Sequence, residues 1–230
     1  MNRLIVFFAG AFLAWPAVVS AQEVDSLRVA GGDTTGVQSA DSVAVEEKEP
    51  EGPQVRFEMY LDDERRRATL LGLVTLVLNE SEAPEHTNNF LKLVRDGFYE
   101  GVAFHRIVPA FLIQGGDPKS RVNWQSPDLG TGGPGYALPG EFGLPHVRGA
   151  LAASRLSDTV NEERESNGSQ FYICLSDLPS LDSVGYSVFG MILEGMDVID
   201  RVAQVKNAGS PNQNRALSRV YMKNVTVLEP

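Results

Sequence analysis

Cysteine, histidine and basic residues are all scarce in this chain of 230 residues. Cys174 is the only cysteine, so no intrachain disulfide can form and no thiolate metal site is available. The three histidines, His86, His105 and His146, lie far apart without metal-ligand spacing, so the sequence predicts no metal and no other cofactor. Twenty Lys and Arg residues face thirty Asp and Glu residues, and the formal net charge of −10 argues against nucleic acid as the main partner.

The N-terminus has the pattern of a cleaved export signal. A basic residue, Arg3, precedes an apolar run over 4–13, and small residues follow at 19–21. The apolar run is short for a bilayer span, which takes about twenty residues. The sequence therefore predicts a signal peptide over 1–21 and a periplasmic or secreted mature chain, with no stable membrane insertion after cleavage.

The next segment, 22–54, is rich in acidic residues and glycine and has no sustained apolar period. Such a segment buries too little surface to offset the entropy of ordering it. It is therefore predicted to be a disordered acidic linker, and the folded part is predicted to be one domain over 55–230.

Periodicity outlines the elements of this domain. Alternating apolar residues predict strands at 55–61 and 219–228, and a more apolar strand is predicted at 70–78. Helical spacing predicts two helices, at 83–96 and 196–204. The short β-like runs between them alternate with Gly- and Pro-rich loops. The fold class is therefore predicted to be mainly β, a closed antiparallel β-barrel capped by two α-helices.

One segment, 98–117, combines strand pattern with polar groups that suit a site. In strand geometry Arg106 has the parity of Leu112 and Gln114, so one face carries all three if Pro109 does not interrupt the pleat. A cation and an amide beside apolar groups fit a binding surface better than a core. The same pattern also fits an edge strand with a solvated arginine.

The block Phe-His-Arg-Ile at 104–107, with Pro-x-Phe at 109–111 and Gln-Gly-Gly-Asp at 114–117, resembles the signature of the cyclophilin family. Further matching segments follow in order between about 71 and 227. They are the helix segment Asn89-Phe90-Leu91, the loop Gly132-Gly133-Pro134-Gly135-Tyr136 with Glu141-Phe142, the strand Asn167-Gly168-Ser169-Gln170-Phe171-Tyr172-Ile173-Cys174, and the elements Leu181-Asp182 and Tyr186-Ser187-Val188-Phe189-Gly190.

The resemblance implies an eight-stranded antiparallel barrel and a peptidyl-prolyl cis-trans isomerase that needs no cofactor. Its partners would be proline-containing peptides and unfolded or partly folded exported proteins, and the protein would be a monomer that assists their folding. The twisted transition state localises the lone pair of the prolyl nitrogen, and a fixed donor can then stabilise it selectively. Arg106 is always protonated and only donates, which suits this role.

The resemblance also assigns the other site residues. Catalysis would rest on Arg106 with Phe111 and Gln114, where Gln114 holds the substrate carbonyl or positions Arg106. The substrate-binding residues would be Leu112, Tyr172 and Leu181 in the proline pocket, Gln170 in the neighbouring subsite, Ser154 and Arg155 beside the residue before proline, and Tyr186 near the pocket.

Three departures from the family pattern bear on specificity. Ser180 stands where familiar members carry a Trp that contacts cyclosporin-type inhibitors, so inhibition is predicted to be weak while catalysis is retained. Tyr186 replaces a His, and Arg155 replaces an Asn of the substrate-holding strand. These changes affect the predicted subsite preference more than the predicted activity.

Other readings of the sequence fit less well. The glycines 130, 132 and 135 match a dinucleotide motif by letter, but Pro134 prevents the helix that must follow. A hydrolase triad of Ser154, His146 and Asp158 lacks the Gly-x-Ser-x-Gly elbow. The main alternative is a catalytically silent proline-binding or holdase module, which would share the pocket without depending on Arg106.

Overall fold

The computed structural model describes residues 51–228. The predicted signal peptide over 1–21 and all but the last residues of the predicted linker over 22–54 lie outside this range. None of the helices within it is long and apolar enough to cross a membrane. Within the same range no cluster of His, Cys, Asp and Glu side chains could hold a metal ion.

Eight strands form one sheet, and every pairing between neighbours is antiparallel. The order across the sheet is β3-β4-β6-β5-β7-β2-β1-β8. The strands are β1 (Gln54–Asp62), β2 (Ala68–Leu78), β3 (Arg106–Val108), β4 (Leu112–Gly115), β5 (Ala150–Ala153), β6 (Phe171–Cys174), β7 (Val188–Glu194) and β8 (Val220–Leu228). The predicted mainly β class with eight antiparallel strands is confirmed.

Three α-helices accompany the sheet: α1 (Pro84–Arg95), α2 (Pro179–Val184) and α3 (Met196–Ala203). The two predicted helices correspond to α1 and α3, each within a residue of its predicted bounds. The prediction of only two helices is wrong, because α2 was not anticipated. This helix has six residues and none of them is buried. It therefore has no buried face whose apolar residues would recur at helical spacing in the sequence.

The prediction of a closed barrel is not confirmed, since the described residues contain no ladder between β3 and β8 at the two ends of the sheet. Isolated bridges stand in that place, pairing Ala103 with Tyr221 and Arg106 with Arg215. The physical reason lies next to Arg215. Gln213 and Asn214 have positive φ angles of 59° and 52°, which interrupt the extended backbone that a continuous ladder requires.

The register of the sheet sends alternate residues into two separate clusters. Ile113, Ile173 and Leu151 are paired across β4, β6 and β5, and all three are fully buried in the main core with α1 and α3. The residues between them face the other side and form a second, smaller cluster. It contains Leu112, Ala150, Ala152, Tyr172, Cys174, Leu178 and Val188. This second cluster forms the floor beneath the candidate site.

Candidate active site

A cavity of about 460 Å³ opens over the second cluster. Its walls come from β3, β4 and β6, from α2, from the two residues that follow β5, and from the loops around residues 130 and 213. The lining residues are His105, Arg106, Phe111, Leu112, Gln114, Leu129, Gly130, Thr131, Ser154, Arg155, Tyr172, Leu181, Tyr186, Gln213 and Arg215. The cavity therefore brings together every site residue predicted from the sequence except Gln170.

Strand register explains how the polar groups meet. Arg106 is paired with Gln114, Gln114 with Tyr172, and Tyr172 with Ala152, so a single row crosses four strands. Paired residues in an antiparallel sheet share a face. Arg106, Leu112 and Gln114 thus lie on one face, and Pro109 sits in the turn between β3 and β4 rather than in a strand.

A chain of side-chain hydrogen bonds holds Arg106. Its Nη1 donates to Oε1 of Gln114 at 3.2 Å. The Nε2 of Gln114 donates to Oγ of Ser154 and to Oε1 of Gln170, at 3.1 Å each. Gln170 then donates from Nε2 to the backbone oxygen of Gly132 at 2.8 Å. Burial lowers the pKa of the Arg106 guanidinium, but arginine stays protonated at any physiological pH.

The direction of donation along this row of hydrogen bonds is fixed by its last acceptor, the backbone oxygen of Gly132. The oxygen of Gly132 can only accept, so the amide nitrogen of Gln170 must face it and the amide oxygen of Gln170 must face Gln114. The amide nitrogen of Gln114 is then turned toward Gln170, and its oxygen toward Arg106. Gln170 itself is only 3% exposed and lies behind Gln114 rather than lining the cavity.

An apolar pocket lies beside this polar row. Phe111, Leu112, Leu181 and the ring of Tyr172 line it. Tyr186 stands edge-on to the Tyr172 ring, with ring centroids 5.9 Å apart. Such a pocket fits a compact, uncharged ring such as that of proline.

The hydroxyl of Tyr172 is held from below by His146, a residue that the sequence analysis did not assign to the site. His146 Nε2 lies 2.9 Å from this hydroxyl, and His146 Nδ1 lies 2.6 Å from Oδ1 of Asp182. The hydrogen bond from His146 lowers the pKa of Asp182, and burial raises that of Tyr172. The rejected hydrolase triad would require His146 to pair with Ser154. His146 pairs with Asp182 and Tyr172 instead.

Arg155 is held in place on the opposite wall. Its Nη1 lies 2.6 Å from Oδ1 of Asp158, its Nε donates to the oxygen of Gly185 at 2.8 Å, and its guanidinium lies 4.6 Å from the ring centre of Tyr186. The backbone N–H of the preceding residue, Ser154, donates to Gln170, and its carbonyl accepts from the N–H of Asn167. The backbone groups of Ser154 are therefore occupied, whereas those of Arg155 have no partner among residues 51–228 and can bind a ligand on this wall of the cavity.

His105 adjoins Arg106 at the rim of the cavity. It is 5% exposed, and burial lowers its pKa to about 4. Its Nδ1 has no hydrogen-bond partner among the described residues. A neutral, buried imidazole of this kind packs beside the site.

The third buried histidine, His86, also lies outside the cavity. His86 Nε2 is 2.8 Å from Oγ of Ser166, and His86 Nδ1 is 2.6 Å from Oε2 of Glu141. The order Ser-His-Glu matches that of a hydrolase triad, but Ser166 is only 2% exposed and cannot be reached by a substrate. This cluster instead ties the first turn of α1 to the loop at Glu141.

The fold and the cavity together define a β-protein with a peptide-sized cleft, in which a positioned arginine adjoins an apolar pocket. Comparison with known proteins gives the class a name. The family model described as "Cyclophilin type peptidyl-prolyl cis-trans isomerase/CLD" matches residues 65–227. The chain belongs to this family, and the predicted family and enzyme class are confirmed.

Individual relatives agree with this assignment. Peptidyl-prolyl cis-trans isomerase A of Dickeya dadantii is 32% identical over 167 residues, covering 70% of this chain and 82% of the relative. An isomerase of Synechococcus elongatus is 38% identical over 144 residues, covering 59% and 89%. A crystal structure of a Cryptosporidium parvum cyclophilin shares the fold, with a TM-score of 0.63 at 24% identity over 77% of this chain and 98% of that one.

Proposed function

We propose that this protein accelerates rotation about X–Pro bonds in exported proteins that are unfolded or partly folded, and so assists their folding. The observation that carries the proposal is the position of Arg106 beside the apolar pocket of Phe111, Leu112 and Leu181. Its guanidinium is oriented there by donating to the amide oxygen of Gln114. A solved relative was crystallised in the presence of the dipeptide Ala-Pro, which supports a proline-containing ligand.

The chemistry requires no cofactor, because no bond is broken. The partial double bond of the amide sets a barrier of about 18–20 kcal/mol, and unaided isomerisation takes tens of seconds or longer. In the twisted transition state the nitrogen lone pair becomes a hydrogen-bond acceptor. A donor beside that nitrogen therefore binds the transition state more tightly than the planar ground state.

Each part of the cleft has a role in this proposal. The pocket of Phe111, Leu112, Leu181 and Tyr172 holds the prolyl ring and excludes water. Arg106 donates to the prolyl nitrogen as the amide twists. Gln114 acts as a positioning residue, because it accepts from Nη1 of Arg106 and leaves the other guanidinium donors available.

Further roles complete the proposed site. The open backbone groups of Arg155 hold the residue before proline, while Ser154 and Gln170 orient Gln114. Tyr186 closes the pocket wall. No metal or other cofactor takes part.

Three broader features also belong to the proposal. The chain is exported, as the pattern of residues 1–21 indicates, and acts as a monomer in the periplasm or outside the cell. The sheet functions as a closed barrel, in which the segment before β3 completes the wall. This is supported by bonds from Phe104 N to the oxygen of Val220 at 2.8 Å and from Met222 N to the oxygen of Val102 at 3.1 Å.

The test compares the wild type with Arg106→Ala on a short X–Pro peptide, using Arg201→Ala as the matched control. Arg201 lies on α3 and pairs with Asp197, away from the cleft. A charge-assisted hydrogen bond contributes about 1.5–3 kcal/mol, so Arg106→Ala is expected to lower kcat/KM by about 10- to 100-fold while remaining folded. The control is expected to match the wild type.

A holdase is the alternative, and the same assay separates it from an isomerase. It would bind proline-containing peptides with no turnover above the uncatalysed rate, and Arg106→Ala would change nothing. Full activity in Arg106→Ala would instead mean that another group stabilises the transition state.

A further inference from the structure

Two arginines face each other at the β3 edge of the cleft. Arg215 is the antiparallel bridge partner of Arg106, and both residues line the cavity. Directly opposed residues of such a pair place their side chains on one face, where two like charges destabilise the pair. The arrangement therefore needs a compensating interaction that the fold alone does not supply.

Neither of these guanidinium groups has a carboxylate partner in the described part of the chain. Arg106 donates to the amide oxygen of Gln114, and Arg215 donates from Nη1 to the backbone oxygen of Gln125 at 3.1 Å. Both acceptors are neutral. The second bond fixes one corner of the Arg215 guanidinium and leaves its remaining donors available.

The rest of the cavity does not offset these two charges. Among residues 51–228, no Asp or Glu contributes to its lining. The third arginine, Arg155, is already paired with Asp158, and the nearby Asp182 is held by His146. The cleft thus has an excess of positive charge, whereas the whole chain has a formal net charge of −10.

The position of Arg215 indicates which part of a bound peptide it meets. Arg155 follows β5, and Arg215 lies beyond β3, so β6, β4 and β3 separate the two sides. Strands lie about 4.8 Å apart, and an extended peptide rises about 3.3 Å per residue, so four strand spacings accommodate roughly six residues. With the residue before proline at Arg155, the residues after proline run toward Arg215.

We infer that the cleft selects X–Pro segments with an Asp or Glu shortly after the proline, and that Arg215 binds this carboxylate. The inference rests on the proposed function and names its substrate class. The client carboxylate supplies the anion that the opposed arginines lack, and it leaves Arg106 free to face the prolyl nitrogen. Arginine is well suited to this role, since its planar fork binds a carboxylate through two parallel hydrogen bonds.

The test uses peptide sets in which the first, second or third residue after proline is Glu, Gln or Lys. Isomerisation is followed by NMR exchange spectroscopy, which avoids a coupling protease with its own charge preference. We expect kcat/KM for the best Glu peptide to exceed that of its Gln counterpart by about three- to tenfold, mainly through KM. Salt at about 0.5 M should reduce this ratio, because the interacting charges are partly exposed.

Variants then locate the effect. Arg215→Gln is expected to bring the Glu/Gln ratio close to one, and Arg215→Lys to preserve part of it. Arg201→Gln changes the net charge equally at a distant exposed position and is expected to keep the wild-type ratio. Circular dichroism confirms that each variant is folded.

The outcomes separate this inference from the proposed function. Equal turnover of Glu and Gln peptides by the wild type would overturn the inference and leave the isomerase intact. An unchanged ratio in Arg215→Gln would likewise overturn the assignment of Arg215. Turnover of none of the peptides would overturn the proposed function, and the inference with it.

Discussion

Arg106 and Gln114 face each other across the β3–β4 ladder, and Nη1 of Arg106 donates to Oε1 of Gln114 at 3.2 Å. The bond depends on a neutral amide, because Gln114 must also donate to Ser154 and Gln170. A carboxylate at this position would bind the guanidinium as an ion pair and could donate to neither neighbour. Glutamate has nearly the same shape as glutamine, so Gln114→Glu changes this hydrogen-bond pattern while it barely changes the packing.

Gln114→Glu is expected to lower kcat/KM by about tenfold or more, because the guanidinium is then held by a charge and Ser154 and Gln170 lose a donor. The measurement is isomerisation of an X–Pro peptide at pH near 7. Gln204→Glu, an exposed substitution at the end of α3, introduces the same charge away from the cleft and should leave activity unchanged. Equal activity in the two variants would show that the direction of donation through Gln114 does not matter for catalysis.

A second prediction concerns the hydroxyl of Tyr172. Tyr172→Phe removes the partner of His146 Nε2, a buried group whose loss of a hydrogen bond costs about 1–3 kcal/mol of unfolding free energy. Urea denaturation measures this loss. Tyr186→Phe is the matched control, because no hydrogen bond of the Tyr186 hydroxyl occurs among residues 51–228, and it should stay within about 0.5 kcal/mol of the wild type. Similar stability of both variants would contradict the role given to His146.

The sequence was most informative where the signal is local. Apolar periodicity located α1, α3 and the strands at both ends of the domain, and strand parity placed Arg106, Leu112 and Gln114 on one face, as the structure has them. These features depend on neighbouring residues alone. The short helix α2 lacked such a signal, since it buries no residue.

Two site residues were missed for a related reason. His146 reaches Tyr172 because its carbonyl accepts from the N–H of Leu178, and Arg215 reaches Arg106 through an isolated bridge. Both contacts bring a loop residue to a strand that is distant in the chain, and no periodicity encodes such pairing. The chemistry of the residue types was visible in the sequence, whereas their neighbours were not.

A third prediction follows from His105, whose pKa is lowered to about 4 by burial. The unfolded chain binds a proton near pH 6.5, while the folded chain resists it, so stability falls as the pH drops from about 6.5 to about 4. The lowered pKa corresponds to a loss of about 3 kcal/mol of unfolding free energy across this window. His86, whose pKa burial also lowers, acts in the same direction.

His105→Leu tests this contribution, because it removes the titrating group while Nδ1 leaves no hydrogen bond behind among the described residues. Chemical denaturation at a series of pH values should show a shallower decline for the variant than for the wild type. His86→Gln serves as the comparison. In that variant the part of the decline in stability that is due to His105 should remain. Parallel curves for His105→Leu and the wild type would mean that His105 titrates normally.

The last prediction concerns inhibitors. Ser180 is exposed in α2 and precedes Leu181 of the pocket wall, where the resemblance places a tryptophan that contacts cyclosporin-type inhibitors. The wild type is expected to be weakly inhibited, and Ser180→Trp to bind such an inhibitor about 10- to 100-fold more tightly, because burying an aromatic side chain contributes about 1.5–3 kcal/mol. Inhibition of peptide isomerisation gives the affinities. Ser81→Trp, exposed in the loop before α1, is the matched control and should leave inhibition unchanged. Tight inhibition of the wild type, or no gain in Ser180→Trp, would show that this position does not determine inhibitor affinity.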